Sequence, residues 1–526
     1  MKKILNVHQY YYYIFLAIYF VFGIYFSLNI GITLDEPHSN WVWELNKKKI
    51  SNIFFKTNHD LSYLDTYHGY YGIGFYIIST PLEQIFSFLI KNKNINIEGS
   101  ILLLKHPTVF IFFFISGIFF KKIIILITKD KLFSNLSTIF YLTYPYMLGH
   151  SFFNVKDIPF MSIWLISTFY LIKNLNEYFF KTKIKIKNLC ILALSTAYLL
   201  SLRINGILIF LEYFIFLIVY LNVFKKNFFI FIKEIKKEIL IFFTIIFLVT
   251  FILYPSFWTE PGKYIDSINF FGQIIQTVCT ITLGECMETQ NLPSTYLFIW
   301  LFFKLPILIL FGILLFPFIE KKLFNDKKNS LIIASLLLTV FSIIVLFVFL
   351  KINLYDEVRQ ILFLIPLIFL ISLSLLFYFK KKLSILFLSF YIVFFIINNF
   401  KIFPYNYLWL NNFNVFINVN KNFEKDYWGV STREIAKYFN IKNLNRDTCI
   451  ISTRNDGIKY FLKQQDICFK PFKDLHKKNK RPFYVALIER TINKGLPNNC
   501  NLRHSYSTKI NFSKEDIVVA KIYECS

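Results

Sequence analysis

The chain lacks three sequence patterns, each of which would point to a definite class of protein. No Cys-x-x-Cys pair occurs among its 7 cysteines, so a zinc site built on cysteine pairs is not expected. No repeat of solenoid type stands out, which argues against a stacked-repeat architecture. No small-x-small cleavage pattern follows the first apolar run. We therefore expect that run to be kept as a membrane span and not removed as a signal peptide.

Acidic residues are scarce relative to basic ones. The 526-residue chain has 32 Asp and Glu against 58 Lys and Arg, a formal charge of +26. Such an excess can indicate nucleic acid as a partner, but here the lysines lie mostly in short tracts between apolar runs, as in residues 181–187. Tracts of this kind set membrane topology and attract anionic headgroups. We therefore expect membrane lipids as partners, and no nucleic acid.

Long apolar runs are what the chain has in abundance. Hydrophobic residues make up 56% of it, and the runs recur along most of its length, which is typical of a polytopic helical membrane protein. The predicted fold is mainly α, a transmembrane bundle of about 11–13 spans. We place these spans at approximately residues 10–32, 106–121, 132–150, 158–173, 188–204, 206–223, 239–255, 295–318, 330–350, 359–378 and 383–400.

The lysine-rich connections predict how the spans are oriented. They follow the second, fourth, sixth, eighth and tenth spans, and with Lys2 and Lys3 they belong on the cytoplasmic side. We expect a multi-pass protein of the bacterial inner membrane, with a cytoplasmic N-terminus. The periplasmic segments are then 33–105, 151–157, 256–294, 351–358 and 401–526. Residues 71–90 are apolar but lie inside the first of these segments, so we expect an interfacial or re-entrant helix there.

The composition becomes mixed and polar from about residue 401. Short β-rich runs at 449–452, 483–488 and 517–520 accompany a helix-like stretch at 455–463. The segment 401–526 is long enough for a small α/β domain with its own core. We therefore divide the chain into a transmembrane domain, residues 1–400, which includes loops 33–105 and 256–294, and a soluble periplasmic α/β domain, residues 401–526.

Six of the cysteines fall in two of the predicted periplasmic segments. They are Cys279 and Cys286 in the large loop, and Cys449, Cys468, Cys500 and Cys525 in the tail. An oxidising compartment makes disulfides plausible, and reduced structural thiols remain an alternative. The four tail cysteines allow three pairings, among which the sequence does not choose.

Two adjacent carboxylates, Asp35 and Glu36, follow the first span directly, in Leu34-Asp35-Glu36-Pro37. Acidic groups at a membrane face are costly unless they are solvated, paired or used in chemistry. A solvated loop is the plain alternative. The position also suits a catalytic carboxylate that faces a lipid-borne substrate.

Other ionisable groups are expected on the same periplasmic face as Asp35. They come from four segments and include His38, Lys156, Asp157, Arg203, Tyr355, Asp356 and Arg359. Each has a plainer alternative, such as a loop ion pair or a side chain that reaches from a helix end to the headgroups. Together they suit transfer of a group from a lipid phosphate. A carboxylate can accept the proton of an attacking hydroxyl or amine, and Lys or Arg can stabilise the departing phosphate.

Several short segments, in order along the chain, support a more specific interpretation. They are Leu34-Asp35-Glu36, Phe153-Asn154-Val155-Lys156-Asp157-Ile158-Pro159-Phe160, Ser201-Leu202-Arg203-Ile204-Asn205-Gly206, Leu292-Pro293-Ser294-Thr295-Tyr296, Tyr355-Asp356-Glu357-Val358-Arg359-Gln360 and Tyr427-Trp428-Gly429-Val430-Ser431. With them the chain resembles the GT-C class of membrane glycosyltransferases. It is particularly similar to bacterial family-39-like enzymes related to protein O-mannosyltransferases and lipid A aminoarabinose transferases.

The resemblance implies an activity and a set of residue roles. The donor would be a polyprenyl-phosphate sugar, and the acceptor a lipid, glycan or protein modified outside the cytoplasm. The implied catalytic residues are Asp35 as the general base of an inverting displacement, Glu36 as its companion, and Asp157. The implied phosphate ligands are Lys156, Arg203 and Arg359, with His38 and Tyr355 as possible substrate contacts. The chemistry requires no cofactor, and the role of a divalent metal is open.

Two other function classes compete with this interpretation. A lipid or glycan transporter would more plausibly carry its polar groups at mid-membrane, whereas most ionisable groups here lie at the predicted ends of spans. An envelope scaffold or receptor, with the tail as its binding module, would leave the charged periplasmic segments unexplained. We expect the glycosyltransferase.

Overall fold

The computed structural model describes residues 2–90, 95–181, 183–273, 278–319, 326–442, 444, 448–453, 455–463, 467–475, 482–488, 496 and 499–525. The described chain is mainly helical, as predicted. Its α-helices are α1 Lys2–Ser27, α2 Asp35–Phe55, α3 Gly74–Phe86, α4 Ile97–Leu103, α5 His106–Thr128, α6 Lys131–Thr143, α7 Pro145–Ser151, α8 Asp157–Lys181, α9 Ile186–Leu202, α10 Ile209–Phe224, α11 Phe228–Glu234, α12 Lys236–Ile252, α13 Lys263–Gln273, α14 Tyr296–Lys304, α15 Ile307–Leu314, α16 Lys327–Phe349, α17 Ile365–Ile402, α18 Val419–Asn422, α19 Thr432–Lys442 and α20 Asn455–Lys459. Short 3₁₀ helices lie between several of them, including Ser62–Asp65, Tyr67–Tyr70, Ile204–Leu208 and Arg359–Leu364.

The chain is a multi-pass integral membrane protein. In the described ranges, 6 helices are long and apolar enough to cross a membrane, or up to 7 if one bent pair is counted as a span. This is fewer than the 11–13 spans expected from the apolar runs, although a helix occupies the place of every predicted span. The difference lies in how the apolar residues are divided into helices.

Three irregularities account for part of the difference, and two further predicted spans, at α9 and α12, form helices of only 17 residues. The run 132–150 is split into two short helices, α6 and α7. Helices α14 and α15 meet at 114°, because Pro306 between them holds Leu305 in an extended conformation. The last two predicted spans follow each other without a loop in α17, where a kink with non-helical φ and ψ at Lys380 separates two helices. Apolar composition predicts a buried helix, but its length and breaks decide whether it crosses the membrane.

The helices share one large hydrophobic core that is rich in aromatic side chains. Tyr144 illustrates its packing, because its ring centroid lies 5.1 Å from that of Phe369, 5.8 Å from Phe395 and 5.4 Å from Trp409. The Trp409 ring belongs to the segment after α17, which the sequence assigns to the soluble tail. Other buried apolar residues of this segment, among them Tyr405, Phe423 and Val430, also belong to the helical core.

The described strands form a hairpin and a sheet. The hairpin consists of β1 Cys279–Thr282 and β2 Glu285–Glu288, and the sheet of β3 Cys449–Ser452, β4 Cys468–Pro471, β5 Phe483–Ile488, β6 Cys500–Thr508 and β7 Ile517–Cys525. The sheet is mixed, with the strand order β4-β3-β5-β7-β6. Strand β3 is parallel to β4 and β5, whereas β7 is antiparallel to β5 and β6. The predicted strands at 449–452, 483–488 and 517–520 are thereby confirmed. The short edge strand β4, the polar strand β6 and the hairpin were not predicted.

Six cysteines form three disulfides, which removes the ambiguity left by the sequence. The bonds join Cys279 to Cys286, Cys449 to Cys468, and Cys500 to Cys525. In the sheet Cys449 stands opposite Cys468 and Cys500 stands opposite Cys525, so the register decides the pairing of the four tail cysteines. Cys279 and Cys286 lie on the two paired strands of the hairpin. Cys190 in α9 is a free thiol.

Candidate active site

Asp35 lies at the first position of α2, where the chain turns after α1. The Leu34 N–H donates to the Trp428 carbonyl oxygen at 3.2 Å, which ties the start of α2 to the segment after α17. Close packing supports this connection, since a Cβ on Gly31 would lie 2.3 Å from the Val430 carbonyl oxygen. The first turn of a helix also favours a negative charge.

Asp35 contacts two cationic side chains from different parts of the chain. Its Oδ2 lies 3.6 Å from Lys156 Nζ and 3.5 Å from an Arg359 guanidinium nitrogen. Burial acts to raise the pKa of Asp35, but the charges of Lys156, Arg359 and Arg203 together hold that pKa well below its usual range. Asp35 is therefore a carboxylate at neutral pH.

Lys156 and Asp157 are positioned by a turn at the start of α8. The Asn154 Oδ1 accepts hydrogen bonds from the backbone N–H groups of Lys156 at 3.3 Å and Asp157 at 2.9 Å. The same side chain donates from Nδ2 to Asp157 Oδ2 at 3.0 Å. This Asx turn fixes the backbone at the start of α8. The two charged side chains have different partners, since Lys156 contacts Asp35 and Asp157 pairs with Arg203.

Asp157 forms an ion pair with Arg203, at the end of α9. The Asp157 side chain is buried, whereas that of Arg203 remains 24% exposed. The geometry thus joins Asp157 directly to a cation and leaves Arg203 within reach of a ligand. The structure records no contact between Asp157 and Asp35.

Arg359 follows a tight corner of the backbone. Asp356 and Glu357 both have positive φ, 55° and 66°, a conformation that costs free energy in residues other than glycine. The Arg359 guanidinium carbon lies 4.8 Å from the Tyr355 ring centroid and 4.6 Å from that of Trp428. Arg359 also approaches Asp356 Oδ2 at 3.3 Å. The two rings and the carboxylate fix its planar head beside Asp35.

Glu36 turns into the protein, away from the cations. Its Oε1 accepts hydrogen bonds from the Thr33 N–H and hydroxyl, both at 2.7 Å, and its Oε2 lies 2.8 Å from His106 Nε2. The Thr33 N–H lies just before the start of α2, so Glu36 satisfies a backbone donor there. The side chain is only 1% exposed. Through these contacts Glu36 stabilises the backbone turn at the start of α2, which carries Asp35.

His38 lies one helical turn after Asp35 and pairs with another histidine. Its Nε2 lies 3.0 Å from His68 Nδ1. Burial, Lys156 and His68 lower the pKa of His38 to about 4, although Asp35 opposes the shift. His38 is therefore neutral at neutral pH, able to donate at one ring nitrogen and accept at the other.

A second buried ion pair supports the Arg359 corner. Lys304 Nζ lies 2.9 Å from Glu357 Oε2, and both side chains are 1% exposed. The Lys304 ammonium also donates to the Tyr407 carbonyl oxygen at 3.1 Å, and the Tyr427 hydroxyl donates to Glu357 Oε2 at 3.3 Å. Sequence reasoning missed Lys304, which stands within an apolar run. Trp428 belongs to the segment 427–431, one of those that carry the family resemblance. That segment is the sequence signal that could have pointed to Trp428 as a site residue.

A cavity of about 410 Å³ borders the same corner. It lies between residues 289–297 and the end of α16 with residues 351–354. Tyr296, in its lining, donates from its hydroxyl to the Glu357 carbonyl oxygen at 3.3 Å. Across the described residues, no group of three or more His, Cys, Asp or Glu side chains is arranged to hold a metal ion.

Comparisons with known proteins identify the fold. No protein-family model matches the chain, and no curated protein sequence matches it. A crystal structure of ArnT from Cupriavidus metallidurans in the apo state matches it with a TM-score of 0.50, at 10% identity and over 98% of both chains. The chain has the ArnT fold. A second structure of the same protein, bound to undecaprenyl phosphate, covers 97% of both chains at 10% identity with a TM-score of 0.48.

The ArnT fold explains how residues far apart in sequence reach one place. The Asp35, Lys156 and Arg359 side chains are joined by direct contacts, and Arg203 adds its charge to the field at Asp35. Tyr355 lies against Arg359. We call the set of Asp35, Lys156, Asp157, Arg203 and Arg359 the charged cluster.

Proposed function

We propose that the protein is a membrane glycosyltransferase that moves a sugar from a polyprenyl-phosphate donor to an extracytoplasmic lipid, glycan or protein. The observation that supports this most is the contact of one carboxylate, Asp35, with two cations that a phosphate group can also use. The ArnT fold and the family resemblance of the segments around these residues support the same class of reaction.

Donor binding begins with the phosphate. The phosphodiester of the donor carries one negative charge on two non-bridging oxygens, as a carboxylate does, so it can take the place of Asp35 as the partner of Lys156 and Arg359 and accept bidentate hydrogen bonds from the arginine. Arg203, paired with Asp157, completes the set of cations around it. The side chains of Lys156 and Arg203 are 23% and 24% exposed, so a ligand can reach both of them.

Phosphate binding also prepares the base. In the free protein Lys156, Arg359 and Arg203 keep the pKa of Asp35 low, which makes it a weak proton acceptor. When the phosphate takes over these cations, burial is left as the dominant influence and raises the pKa of Asp35. The carboxylate then becomes a stronger base only when the donor is present.

The transfer itself is a single displacement. A lone pair of the acceptor oxygen or nitrogen attacks the anomeric carbon, and the bond from that carbon to the phosphate oxygen breaks. The electron pair of this bond leaves on the polyprenyl phosphate, whose developing charge the cations stabilise. Asp35 accepts the proton of the acceptor, and the configuration at the anomeric carbon is inverted. Asp157 orients Arg203, and Glu36 holds the turn that presents Asp35.

A transfer assay tests the proposal. Purified protein in nanodiscs is incubated with labelled polyprenyl-phosphate sugars and an envelope acceptor extract, in parallel with Asp35→Asn. We expect transfer by the wild type and a loss of about 10²–10⁴-fold in the variant, the usual contribution of a general base. Glu44→Gln is the matched control, because Glu44 lies on the same helix but is 45% exposed and pairs only with Lys47 among charged groups of the described chain.

Two results would contradict the proposal. Equal transfer by a folded Asp35→Asn protein removes Asp35 from the chemistry. Failure of the wild type to consume any polyprenyl-phosphate sugar, whatever the acceptor, favours the transporter alternative.

A further inference from the structure

A group of aromatic and histidine rings lies beside the charged cluster and is not used in the steps above. It consists of His38, Trp41, Tyr63, Tyr67, His68 and Tyr71, and we call it the ring cluster. The rings come from α2 and from the two 3₁₀ helices that follow it, with Tyr71 directly after the second. His68 is central, with ring centroids 4.9 Å from Trp41 and 4.0 Å from Tyr67.

The ring cluster is held in place from the opposite side by α13. Phe270 stacks on Tyr67 with ring centroids 5.6 Å apart and planes 19° from parallel, and Phe271 meets Tyr71 edge to face at 5.3 Å. A partly exposed ion pair of Lys263 with Asp65, at 3.0 Å, also joins these two segments. The rings therefore form a supported surface.

Part of this surface is open. Tyr63 is 53% exposed and Tyr67 is 46% exposed, while Trp41, His68 and Tyr71 are partly buried. The rings thus offer both apolar faces and polar edges. The hydroxyls of the tyrosines and the free nitrogen positions of the histidine pair can donate and accept hydrogen bonds.

The ring cluster continues directly into the charged cluster. The Lys156 ammonium lies 5.3 Å from the centroid of Tyr71, and His38 is 5.1 Å from the same ring. A ligand whose phosphate or reacting atom lies at Lys156 and Asp35 therefore has the rings as its next neighbours.

Lipid is a poor occupant for this surface. Aromatic side chains at a membrane interface present apolar rings to lipid tails, but here two hydrogen-bonded imidazoles occupy the centre of the ring cluster. Placing such polar rings against hydrocarbon costs free energy. The surface instead suits a molecule that has apolar C–H faces and a rim of hydroxyl groups.

We propose that the ring cluster binds a sugar ring of a substrate, with the pyranose face against Trp41 and its neighbours and the hydroxyls toward the histidine pair. The pyranose C–H face matches the aromatic faces, and the hydroxyls match groups that both donate and accept. The assignment of this sugar to the donor or to the acceptor rests on the proposed function. The proposal that the ring cluster binds a sugar ring is independent of the proposed function.

Direct binding is measured first, by saturation-transfer difference NMR on protein in nanodiscs with methyl glucopyranoside, mannopyranoside and galactopyranoside as probes. We expect saturation of the ring C–H protons in at least one probe. Trp41→Ala is expected to bind about tenfold more weakly, the effect of losing one stacked aromatic ring. Tyr63→Ala is a second variant, which spares the fold because Tyr63 is exposed.

Trp258→Ala is the matched control. Trp258 contacts another ring, that of Phe54 at 6.1 Å, and the structure records no contact with the ring cluster. Its loss should leave sugar binding unchanged. The proposal is overturned if no probe is saturated by the wild type, or if Trp41→Ala and Tyr63→Ala bind like Trp258→Ala.

Kinetics then separate the two sources of the sugar. A raised KM for the polyprenyl-phosphate sugar in Trp41→Ala assigns the ring cluster to the donor, and a raised KM for the acceptor assigns it to the acceptor. Unchanged KM values for both substrates overturn the role in transfer. If the wild type binds methyl glycosides but transfers no sugar, the proposed function fails while the binding site stands.

Discussion

Two ion-paired regions lie on either side of the Arg359 corner. They are built from similar residues but differ in the distance between their charged groups and in how deeply these groups are buried. Asp35 lies 3.6 and 3.5 Å from its two cations, with 26% of its side chain exposed. Lys304 and Glu357 lie 2.9 Å apart, with 1% exposed on each side. The first carboxylate shares loose contacts that a ligand can replace, whereas the second is enclosed by hydrogen bonds from its surroundings.

Under the proposed function, the looser contacts belong to the reacting site and the buried pair belongs to its support. A partly exposed, shared ion pair contributes less to stability than a fully buried one, so exchanging its partners for a phosphate costs less. A buried pair is expensive to break, because removal of one partner leaves an uncompensated charge. The Lys304–Glu357 pair therefore fixes the backbone that carries Arg359, and the Asp35 contacts stay open to substrate.

The largest expected effect comes from breaking the buried pair. Lys304→Met should lower the free energy of unfolding by about 3–5 kcal/mol, because it leaves Glu357 buried without its cation. Thermal and denaturant unfolding in nanodiscs measure this. Lys304→Met combined with Glu357→Gln removes both charges and should recover most of the loss. A single variant as stable as the wild type would show that the pair does not hold the corner.

Arg359→Lys should have the next largest effect, and on activity instead of stability. Lysine keeps the charge but loses the flat head that lies between Tyr355 and Trp428. We expect kcat/KM to fall about 10²–10³-fold, as for the loss of one positioned donor to a developing anion. Steady-state transfer kinetics give the value, with the unfolding temperature as the control. Wild-type kcat/KM in this variant would rule out a phosphate role that needs the guanidinium.

Lys156→Met should have a smaller effect. The donor KM is expected to rise about tenfold, the equivalent of one modest ionic contact, with the acceptor KM unchanged. The same change removes the largest of the cationic influences that lower the pKa of Asp35. A donor KM equal to that of the wild type would contradict the assignment of Lys156 to the phosphate.

The effect of Lys156→Met on stability has a definite pH dependence. Because the folded-state pKa of Asp35 lies below its unfolded value, its ion pairs stabilise the fold above the unfolded pKa and lose this contribution as pH falls through the folded pKa. The stability difference between Lys156→Met and the wild type should therefore shrink in acid.

The predicted topology placed residues 35, 156 and 359 on one face of the membrane. The structure joins Asp35 to Lys156 and Arg359 by direct contacts, and the roles of these residues stay predictions. The strands at 449–452 and 483–488 were clear from their runs of β-branched and aromatic residues.

Other features depended on contacts that no local pattern encodes. Glu36 is adjacent to Asp35, yet its side chain leaves in another direction around the helix and meets His106, 70 residues away. Lys304 interrupts an apolar run, and its partner Glu357 is distant in sequence. The rings of the ring cluster were visible as individual residues, but their grouping around His68 required the turn after α2 and the packing of α13.

The central claim is that a phosphate releases Asp35 from its cations and so turns it into a base. Infrared difference spectra of wild type minus Asp35→Asn isolate the Asp35 carboxylate band, which can be titrated with pH in nanodiscs. The account predicts a pKa below the usual range in the free protein and a clear upward shift when undecaprenyl phosphate is added. An Asp35 pKa that does not rise with undecaprenyl phosphate, although the lipid is bound, would contradict it.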